Sequence, residues 1–423
     1  MINRIDLPYG HTTLSAHLPE AEYCLLVPQR SPAAADTRAA ASAALQNPID
    51  SPRLRDMARA GESIAIAVPD TTRPCPTRDL LPPLLSELSQ AGVKDEDVVI
   101  VSGLGSHRAQ TDEERARLVG EDVFRRFRCI DSDPNDVVFL GRTRRGTPVE
   151  VFTPVVQADR RICVGNLEYH YFAGYSGGYK ALAPGVCSVR TIEANHSWMV
   201  APGAQTGQIE GNPVREDIDE AGARVGADFI LNVILDEDHR AVSAVAGHPV
   251  AAHRAGCRQL NAFGRASLPW PADVVLVSAG GFPKDINLYQ AQKALDNARV
   301  AVRPGGTIIL VAECPEGLGH GVFGEWMLSG QTPDQLIARI RQRFVLGGHK
   351  AAAIALAQKR ATLALVSSLP AEQCRAMGFV PYASPAEALG AALAGRPAPA
   401  RVALMPRGGS VLPVVDTVLE PER

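Results

Sequence analysis

The sequence lacks the features that would assign it to several specialised classes of protein. No stretch approaches the roughly 20 consecutive apolar residues that a membrane span needs, and the opening residues MINRIDLPYG lack the apolar run of a signal peptide. Lys and Arg number 43 against 46 for Asp and Glu, so the net charge is only −3. We therefore expect neither nucleic acid nor an anionic membrane as a partner.

Cysteine pairs are also missing. Eight cysteines are scattered over 423 residues, and none of them forms a CxxC pair. This spacing argues against a disulfide framework or a structural zinc site and favours reduced thiols in the cytoplasm. Hydrophobic residues make up 46% of the chain, which is ample for a full core and excludes a disordered protein.

Short apolar runs rich in β-branched residues recur along the sequence, and helical patterns lie between many of them. Such short, nearly continuous runs are typical of strands that are buried on both faces of a sheet. The runs are 64–68, 98–101, 161–164, 229–235, 274–277, 307–311, 361–366 and 401–404. Leu80, Leu84 and Leu88 repeat at helical spacing between two of them. The alternation predicts an α/β fold with mainly parallel sheets.

A break in both periodicities falls where Pro269 and Pro271 stand close together, just before a new apolar run. We predict a domain boundary there, with an N-terminal α/β domain at residues 1–266 and a C-terminal α/β domain at residues 267–423. A loop within one domain could produce the same pattern.

Ligands of open α/β sheets bind beyond the carboxyl ends of the strands, so the loops after the predicted strands are the first candidates for a site. Asp70 and Arg73 follow the run 64–68, and a guanidinium suits a carboxylate or a phosphate. An Asp–Arg pair that only stiffens the loop is an equal alternative.

His107 follows the run 98–101 after Gly103 and Gly105, and it is a candidate acid or base or a solvated loop residue. The third glycine of a dinucleotide motif is missing.

The densest segment is GNLEYHYFAGYSGGYKALAPG at 165–185, which surrounds His170, Ser176 and Lys180 with five glycines. It is not a phosphate-binding P-loop, because Lys180 follows Tyr179 and precedes no Ser or Thr. A lysine after a Gly-Gly turn in an apolar run is a candidate desolvated nucleophile or covalent anchor.

Two weaker candidates lie further along the chain. His196 could bind a metal or lie on a helix surface. Gln290 and Lys293 are three residues apart on a predicted helix and could hold a carboxylate, although a solvated helix face has the same pattern.

Taken together, these segments resemble the lactate racemase family, whose members use a nickel-pincer nucleotide. The matching segments occur in the family's order over nearly the whole chain. They are DTTRPCP at 70–76, GSHR at 105–108, HYFAGYSGGYKALAPG at 170–185, EANH at 193–196, EGNPVRED at 210–217 and YQAQK at 289–293.

The resemblance implies a role for each matching residue. Lys180 would carry the cofactor covalently, and His196 would bind its nickel, for which imidazole and sulfur are suitable donors. His107 and His170 would be the acid/base pair. Arg73, Gln290 and Lys293 would hold the substrate carboxylate. Asp70, Ser176, Gly177 and Gly178 would contact the cofactor, with its phosphate on the backbone amides of residues 176–178.

The resemblance also implies two α/β domains, the N-terminal one anchoring the cofactor, with the active site in the cleft between them. The reaction would be racemisation or epimerisation of lactate or a related 2-hydroxy acid by reversible hydride transfer through a 2-keto acid. Dedicated biosynthetic proteins make the cofactor, so protein from a foreign host can lack it. Many relatives have Arg where this chain has Tyr179, which suggests a changed phosphate contact or substrate preference.

Three other functions fit the residues. A nicotinamide-dependent 2-hydroxy acid dehydrogenase shares the fold and the hydride chemistry but would normally show the complete glycine motif. A lyase or aldolase could use Lys180 in a Schiff base. A non-catalytic homologue could bind nucleotides or handle metal.

Overall fold

Two six-stranded sheets organise the computed structural model, which describes residues 3–29, 35–236 and 239–416. The described residues divide into two compact units. Residues 35–262 form what we term the central unit, and residues 3–29 together with 263–416 form the flanking unit. Each unit contains one of the two large sheets.

The chain opens with three strands of the flanking unit. Strand β1 (Arg4–Tyr9) pairs antiparallel with β2 (Thr12–His17), and β3 (Glu22–Leu25) follows.

The central unit contains alternating strands and helices. Its strands are β4 (Ile64–Pro69), β5 (Val98–Gly103), β6 (Arg128–Asp131), β7 (Val137–Arg142), β8 (Pro148–Phe152), β9 (Arg160–Leu167), β10 (Tyr169–His170), β11 (Gly174–Tyr175), β12 (Phe229–Leu235) and β13 (Ala241–Gly247). Its helices are α1 (Thr37–Gln46), α2 (Leu54–Met57), α3 (Thr77–Gln90), α4 (Asp112–Val119), α5 (Glu121–Arg126), α6 (Thr153–Gln157), α7 (Val189–His196), α8 (Pro213–Val225) and α9 (Pro249–Gly264), whose last residues enter the flanking unit.

The large sheet of the central unit has the strand order β13-β12-β9-β4-β5-β6 and is parallel except for the edge strand β13. Side chains of β4 alternate between two cores. Ile66 and Val68 join the apolar cluster under α1 and α3, whereas Ala65 and Ala67 join the cluster under α6 and α8. Because both faces of these strands are buried, nearly every residue in them is apolar, and the sequence shows continuous apolar runs.

The rest of the flanking unit repeats this architecture. Its further strands are β14 (Arg265–Leu268), β15 (Ala272–Ser278), β16 (Val302–Val311), β17 (Ala361–Val366), β18 (Val380–Tyr382), β19 (Arg401–Met405) and β20 (Leu412–Val415). Its helices are α10 (Leu288–Ala301), α11 (Gly321–Met327), α12 (Pro333–Gln342), α13 (Gly348–Arg360), α14 (Ala371–Ala376) and α15 (Pro385–Leu393). The large sheet, in the order β18-β17-β16-β15-β19-β3, is entirely parallel.

The predicted α/β class with mainly parallel sheets is confirmed, and each of the eight predicted strands coincides with an observed strand. All eight cysteines are unpaired, as expected. Within the described part of the chain, no helix has the length and apolar character of a membrane span.

The predicted domain limits need one correction. Residues 3–29, which the sequence analysis assigned to the domain at 1–266, fold with the flanking unit. The reason is that β3 extends the sheet beside β19, where Glu22 N donates to Ala400 O (2.9 Å) and Leu26 N donates to Leu404 O (2.8 Å). Strand β3 is short, its residues are half-buried or exposed, and the apolar run at 23–27 that overlaps it has Val27 as its single β-branched residue. The second division between the units falls between residues 262 and 263, close to the predicted 266.

The N-terminal segment should contribute strongly to the stability of the flanking unit. Leu26→Ala is expected to lower the free energy of unfolding by about 2–5 kcal/mol, because Leu26 is 1% exposed and its truncation leaves a cavity. The matched control is Leu25→Ala, at a side chain that is 44% exposed, where we expect less than about 0.5 kcal/mol. Urea unfolding followed by circular dichroism measures both. Equal effects would show that this segment does not pack into the core.

Candidate active site

The loops after β4, β5 and β9, together with a side chain of β12, line one cavity in the central unit. These four strands are neighbours in the sheet, so their carboxyl ends meet at one edge. The structure brings seven of the predicted site residues into the lining. They are Arg73, His107, His170, Ser176, Gly177, Lys180 and His196.

His107 lies after β5, and a buried carboxylate holds its imidazole. His107 Nδ1 is 2.5 Å from Oδ2 of Asp70, which is only 3% exposed. Asp70 Oδ1 accepts hydrogen bonds from the backbone N–H (3.1 Å) and the hydroxyl (2.6 Å) of Thr72. Burial alone would raise the pKa of Asp70, but the hydrogen bonds from His107 and Thr72 outweigh burial and hold that pKa below its ordinary value. The carboxylate therefore binds Nδ1–H of His107, which leaves the Nε2 lone pair to accept a proton.

This arrangement gives Asp70 partners that differ from the predicted ones. Both carboxylate oxygens are used by His107 and Thr72. Asp70 thus orients His107, and its predicted contact with a cofactor stays a prediction.

His170 has the opposite arrangement of its ring nitrogens. It ends strand β10, and its Nδ1 accepts the backbone N–H of Ala173 at 3.2 Å. Burial, reinforced by neighbouring basic groups of which Lys180 is the first, lowers the pKa of His170 well below 6.5. A neutral imidazole whose Nδ1 accepts a hydrogen bond carries its proton on Nε2. In this conformation His107 can accept a proton at Nε2, whereas Nε2 of the neutral His170 ring offers a hydrogen-bond donor.

Lys180 is the desolvated lysine that the sequence predicted. It lies in a short 3-10 helix, Gly178–Ala181, and lines the cavity. Burial and the guanidinium groups of Arg73 and Arg215 lower the pKa of Lys180 well below 10.5, against the opposing effect of Glu168. No hydrogen bond joins its Nζ to any other residue that the structure describes. The lowered pKa favours the uncharged form of the amine, which is its nucleophilic form, and the side chain lines the cavity.

The glycines before Lys180 allow a close approach of backbone to its neighbours. Gly177 and Gly178 have φ values of 74° and 60°, and a Cβ on Gly177 would lie 2.7 Å from Asn232 Oδ1. A Cβ on Gly178 would lie 2.9 Å from the ring of His253. A side chain at either position would therefore strain the segment that presents Lys180.

Two of the three amides that were predicted to hold a phosphate already have protein acceptors. Ser176 N donates to Glu168 O at 2.9 Å, and Gly178 N donates to Asn232 Oδ1 at 2.8 Å. The Ser176 hydroxyl donates to Asn166 O at 2.9 Å. In this conformation both residues thus hold the loop together through these contacts, and the phosphate contact through residues 176–178 stays a prediction.

His196 ends helix α7, and its ring orientation is set by a chain of side chains. His196 Nδ1 is 2.9 Å from Asn195 Oδ1, while Asn195 Nδ2 donates to Asp217 Oδ2 at 2.8 Å. Because the Asn195 amide donates to Asp217, its oxygen faces His196 and accepts Nδ1–H. The lone pair is then on Nε2, which is the form of imidazole that binds metals. Among the residues described, no cluster of three or more His, Cys, Asp or Glu side chains could hold a metal by itself.

The two arginines near the cavity differ in their availability. Arg73 is exposed and lines the cavity. Arg108 instead makes a bidentate pair with Glu114, with nitrogen–oxygen distances of 2.6 and 2.7 Å.

The glycines beside His107 also have a packing role, since Gly105 N donates to Gly185 O (3.1 Å) and a Cβ on Gly103 would lie 2.9 Å from that oxygen.

The remaining predicted residues lie in the flanking unit. Gln290 is half-buried and Lys293 is exposed, and both lie on α10, whose first turn is capped by Asn287. The predicted helix is confirmed. Their binding of a substrate carboxylate stays a prediction.

Sequence reasoning missed Asn232, which lines the cavity and holds Gly178 in place. A signal was present, because Asn232 is the only polar residue in the apolar run FILNVIL of β12. A polar side chain in a strand buried on both faces needs a partner.

Tyr179, where many relatives were expected to have Arg, does not line the cavity. Its ring packs on helix α8, where a Cβ on Gly222 would lie 2.3 Å from a ring carbon. Where those relatives would have a charged Arg side chain, this chain has a ring that packs against α8 and not into the cavity.

Comparisons with known proteins point to one family. The model of the lactate racemase N-terminal domain matches residues 9–207, and that of the lactate racemase C-terminal domain matches residues 268–413. A lactate racemase from Thermoanaerobacterium thermosaccharolyticum is 35% identical over 349 residues, which cover 80% of this chain and 81% of the relative. One from Lactiplantibacillus plantarum is 33% identical over 342 residues, covering 79% and 80%.

Solved structures show the same likeness. The lactate racemase apoprotein from T. thermosaccharolyticum matches with a TM-score of 0.86 and 32% identity, over 97% of this chain and 100% of that one. A protein from Thermotoga maritima matches with a TM-score of 0.60 and 17% identity, over 90% and 99%, which is a likeness of fold alone.

The environment of Lys180 predicts selective acylation at neutral pH. Lowering the pKa of an amine raises the fraction that is uncharged at pH 7, where ordinary lysines are almost fully protonated. Treatment of the cofactor-free protein with acetic anhydride should therefore modify Lys180 ahead of the exposed Lys94, as measured by peptide mass spectrometry. The preference should shrink as the pH rises, because ordinary lysines then lose their protons too. Acetylation of Lys94 ahead of Lys180 at pH 7 would contradict the assignment.

Proposed function

The chain belongs to the lactate racemase family, and from this membership we propose that it interconverts the enantiomers of lactate or a closely related 2-hydroxy acid. The predicted enzyme class, an isomerase, agrees with the family. The observation that carries the proposal is that one cavity contains His107 and His170, whose Nε2 atoms are a hydrogen-bond acceptor and a hydrogen-bond donor, beside Lys180, His196 and Arg73.

The residues of the cavity fit the nickel-pincer nucleotide that the resemblance implies. Lys180 offers a buried amine whose lowered pKa favours the uncharged form that a covalent link needs, and His196 has the Nδ1 contact that directs the Nε2 lone pair to a metal. Since the described residues contain no metal cluster of their own, a single imidazole would need donors from the cofactor. When bound, such a cofactor would supply those donors and a carbon atom that accepts and returns hydride.

The substrate would be oriented by its carboxylate. The guanidinium of Arg73 can bind both carboxylate oxygens at once. We propose that Gln290 and Lys293 assist it, because an amide and an ammonium three residues apart on one helix face suit the same anion.

His107 would remove the proton of the 2-hydroxyl group at its Nε2. The buried Asp70 carboxylate stabilises the imidazolium that forms, as an orienting carboxylate does in hydrolytic triads. Loss of this proton raises the electron density on the hydroxyl oxygen and so favours departure of hydride from the adjacent carbon. For the other enantiomer, His170 would take the same role in its other neutral tautomer, in which Nδ1 carries the proton and the Nε2 lone pair accepts the hydroxyl proton, with each histidine serving one face of the substrate.

We also propose how the protein obtains its cofactor and where it is located. Proteins that synthesise the cofactor would have to load this chain before it is active. The predicted cytoplasmic location is consistent with eight unpaired cysteines.

The route of the α-hydrogen tests the proposed reaction. Both histidines are assigned to the hydroxyl proton, which exchanges with water, so the hydrogen on the α-carbon should stay out of exchange. Cofactor-loaded protein in heavy water should convert L-lactate to the racemate with little deuterium at the α-carbon, as measured by chiral chromatography and mass spectrometry. Extensive wash-in of deuterium would instead indicate proton abstraction by a histidine. Reduction of added NAD during turnover would indicate a dehydrogenase.

The two arginines give a matched test of substrate binding. Arg73→Met should lower kcat/KM for lactate roughly tenfold or more, since a charge-assisted hydrogen bond contributes about 1.5–3 kcal/mol. Arg108→Met removes the same charge from a residue that is bound to Glu114, and it should leave kcat/KM nearly unchanged. Steady-state kinetics in both directions measure the effect. A larger loss in Arg108→Met than in Arg73→Met would move the carboxylate site to Arg108.

A further inference from the structure

The backbone between His170 and Lys180 has every one of five successive carbonyl oxygens bound. Asn212 Nδ2 donates to Phe172 O (2.9 Å), and Gly207 N donates to Gly174 O (3.0 Å). Arg215 donates through Nε to Ala173 O (3.3 Å) and through Nη2 to Tyr175 O. His253 donates through Nε2 to Ser176 O at 2.8 Å. Side chains of three residues thus supply four of these five contacts.

We propose that Asn212, Arg215 and His253 are positioning residues, which fix the backbone of residues 172–176 so that His170 and Lys180 face the cavity. The proposal takes the roles of His170 and Lys180 from the proposed function. It assigns a purpose to the segment EGNPVRED, whose residues lie outside the cavity lining.

Asn212 joins the start of a helix to this backbone. Its Oδ1 caps α8 by accepting the N–H groups of Val214 (3.1 Å) and Arg215 (3.2 Å). Its Nδ2 remains for Phe172 O and Gln208 O. Because Arg215 is three residues further along the helix, its side chain lies on the same face of α8 and reaches the next carbonyl groups.

Arg215 is fully buried, so its charge needs compensation within the protein. Asp219, one turn along α8, lies 3.4 Å from Arg215 Nη1 and also pairs with Arg254. A planar guanidinium presents several donors in a fixed fork, which suits the binding of two carbonyl oxygens at once. A lysine could not bind both in this geometry.

The tautomer of His253 follows from its neighbours. Arg254 Nη1 lies 2.7 Å from His253 Nδ1, and a guanidinium can only donate. Nδ1 therefore accepts, and the ring carries its proton on Nε2, which is directed at Ser176 O. The same ring packs against Gly178, where a Cβ would collide with it.

The test measures the reactivity of Lys180 in the cofactor-free full chain, so it does not depend on whether the protein racemises lactate. Acetylation of Lys180 relative to Lys94 at pH 7 is compared by mass spectrometry. His253→Ala removes the donor to Ser176 O, and water should then reach Lys180. We expect the ratio to fall about threefold or more, because each pKa unit regained lowers the uncharged fraction about tenfold. His253→Gln retains an amide donor and should restore most of the ratio.

Two further variants keep the test decisive. Asn212→Ser retains an oxygen for the helix cap but cannot reach Phe172 O, and it should lower the ratio even if His253→Ala does not fold. Val225→Ala truncates a buried residue at the far end of α8 and should lower the melting temperature without changing the ratio. An unchanged or raised ratio in folded His253→Ala and Asn212→Ser, or an equal fall in Val225→Ala, would overturn the proposal.

Discussion

Keeping the amine of Lys180 out of water is the constraint on which the rest of the central unit depends. An ammonium group loses much of its stability when it is desolvated, and the nearby guanidinium groups of Arg73 and Arg215 add to this effect. The surrounding loop must therefore be rigid without offering the amine a partner. Side chains of Asn212, Arg215 and His253 accordingly bind carbonyl groups of residues 172–176, and Asn232 binds the N–H of Gly178.

The partners of the ring nitrogens also give the two histidines different chemistry. A carboxylate binds Nδ1 of His107, whereas a backbone N–H binds Nδ1 of His170. Two identical side chains thus face one cavity with opposite protonation of Nε2. This asymmetry comes from their partners alone and needs no difference in residue type.

Much of this could be predicted from the sequence, for identifiable reasons. The eight strands buried on both faces were detected because burial makes them apolar throughout, and Lys180 stood out through its glycines. Strand β3 was missed because its apolar run at 23–27 contains a single β-branched residue and its side chains are only half-buried or exposed. The partners of Asp70, Ser176 and Gly178 could not be predicted, since hydrogen bonds between distant segments depend on tertiary geometry. Asn232 and Arg215 act through such contacts, so the sequence marked Asn232 only as a polar residue in an apolar strand and Arg215 only as a member of the segment EGNPVRED.

The division of the chain has a consequence for synthesis on the ribosome. Glu22 pairs with Arg401, so β3 emerges early yet has no neighbour until nearly the whole chain has been translated. At about 5–20 residues per second, this wait lasts some tens of seconds. The central unit, whose chain is continuous, can fold during that interval. The cavity would then be assembled before the flanking sheet closes, and the unpaired early strand is the part of the nascent protein most exposed to mispairing and to chaperones.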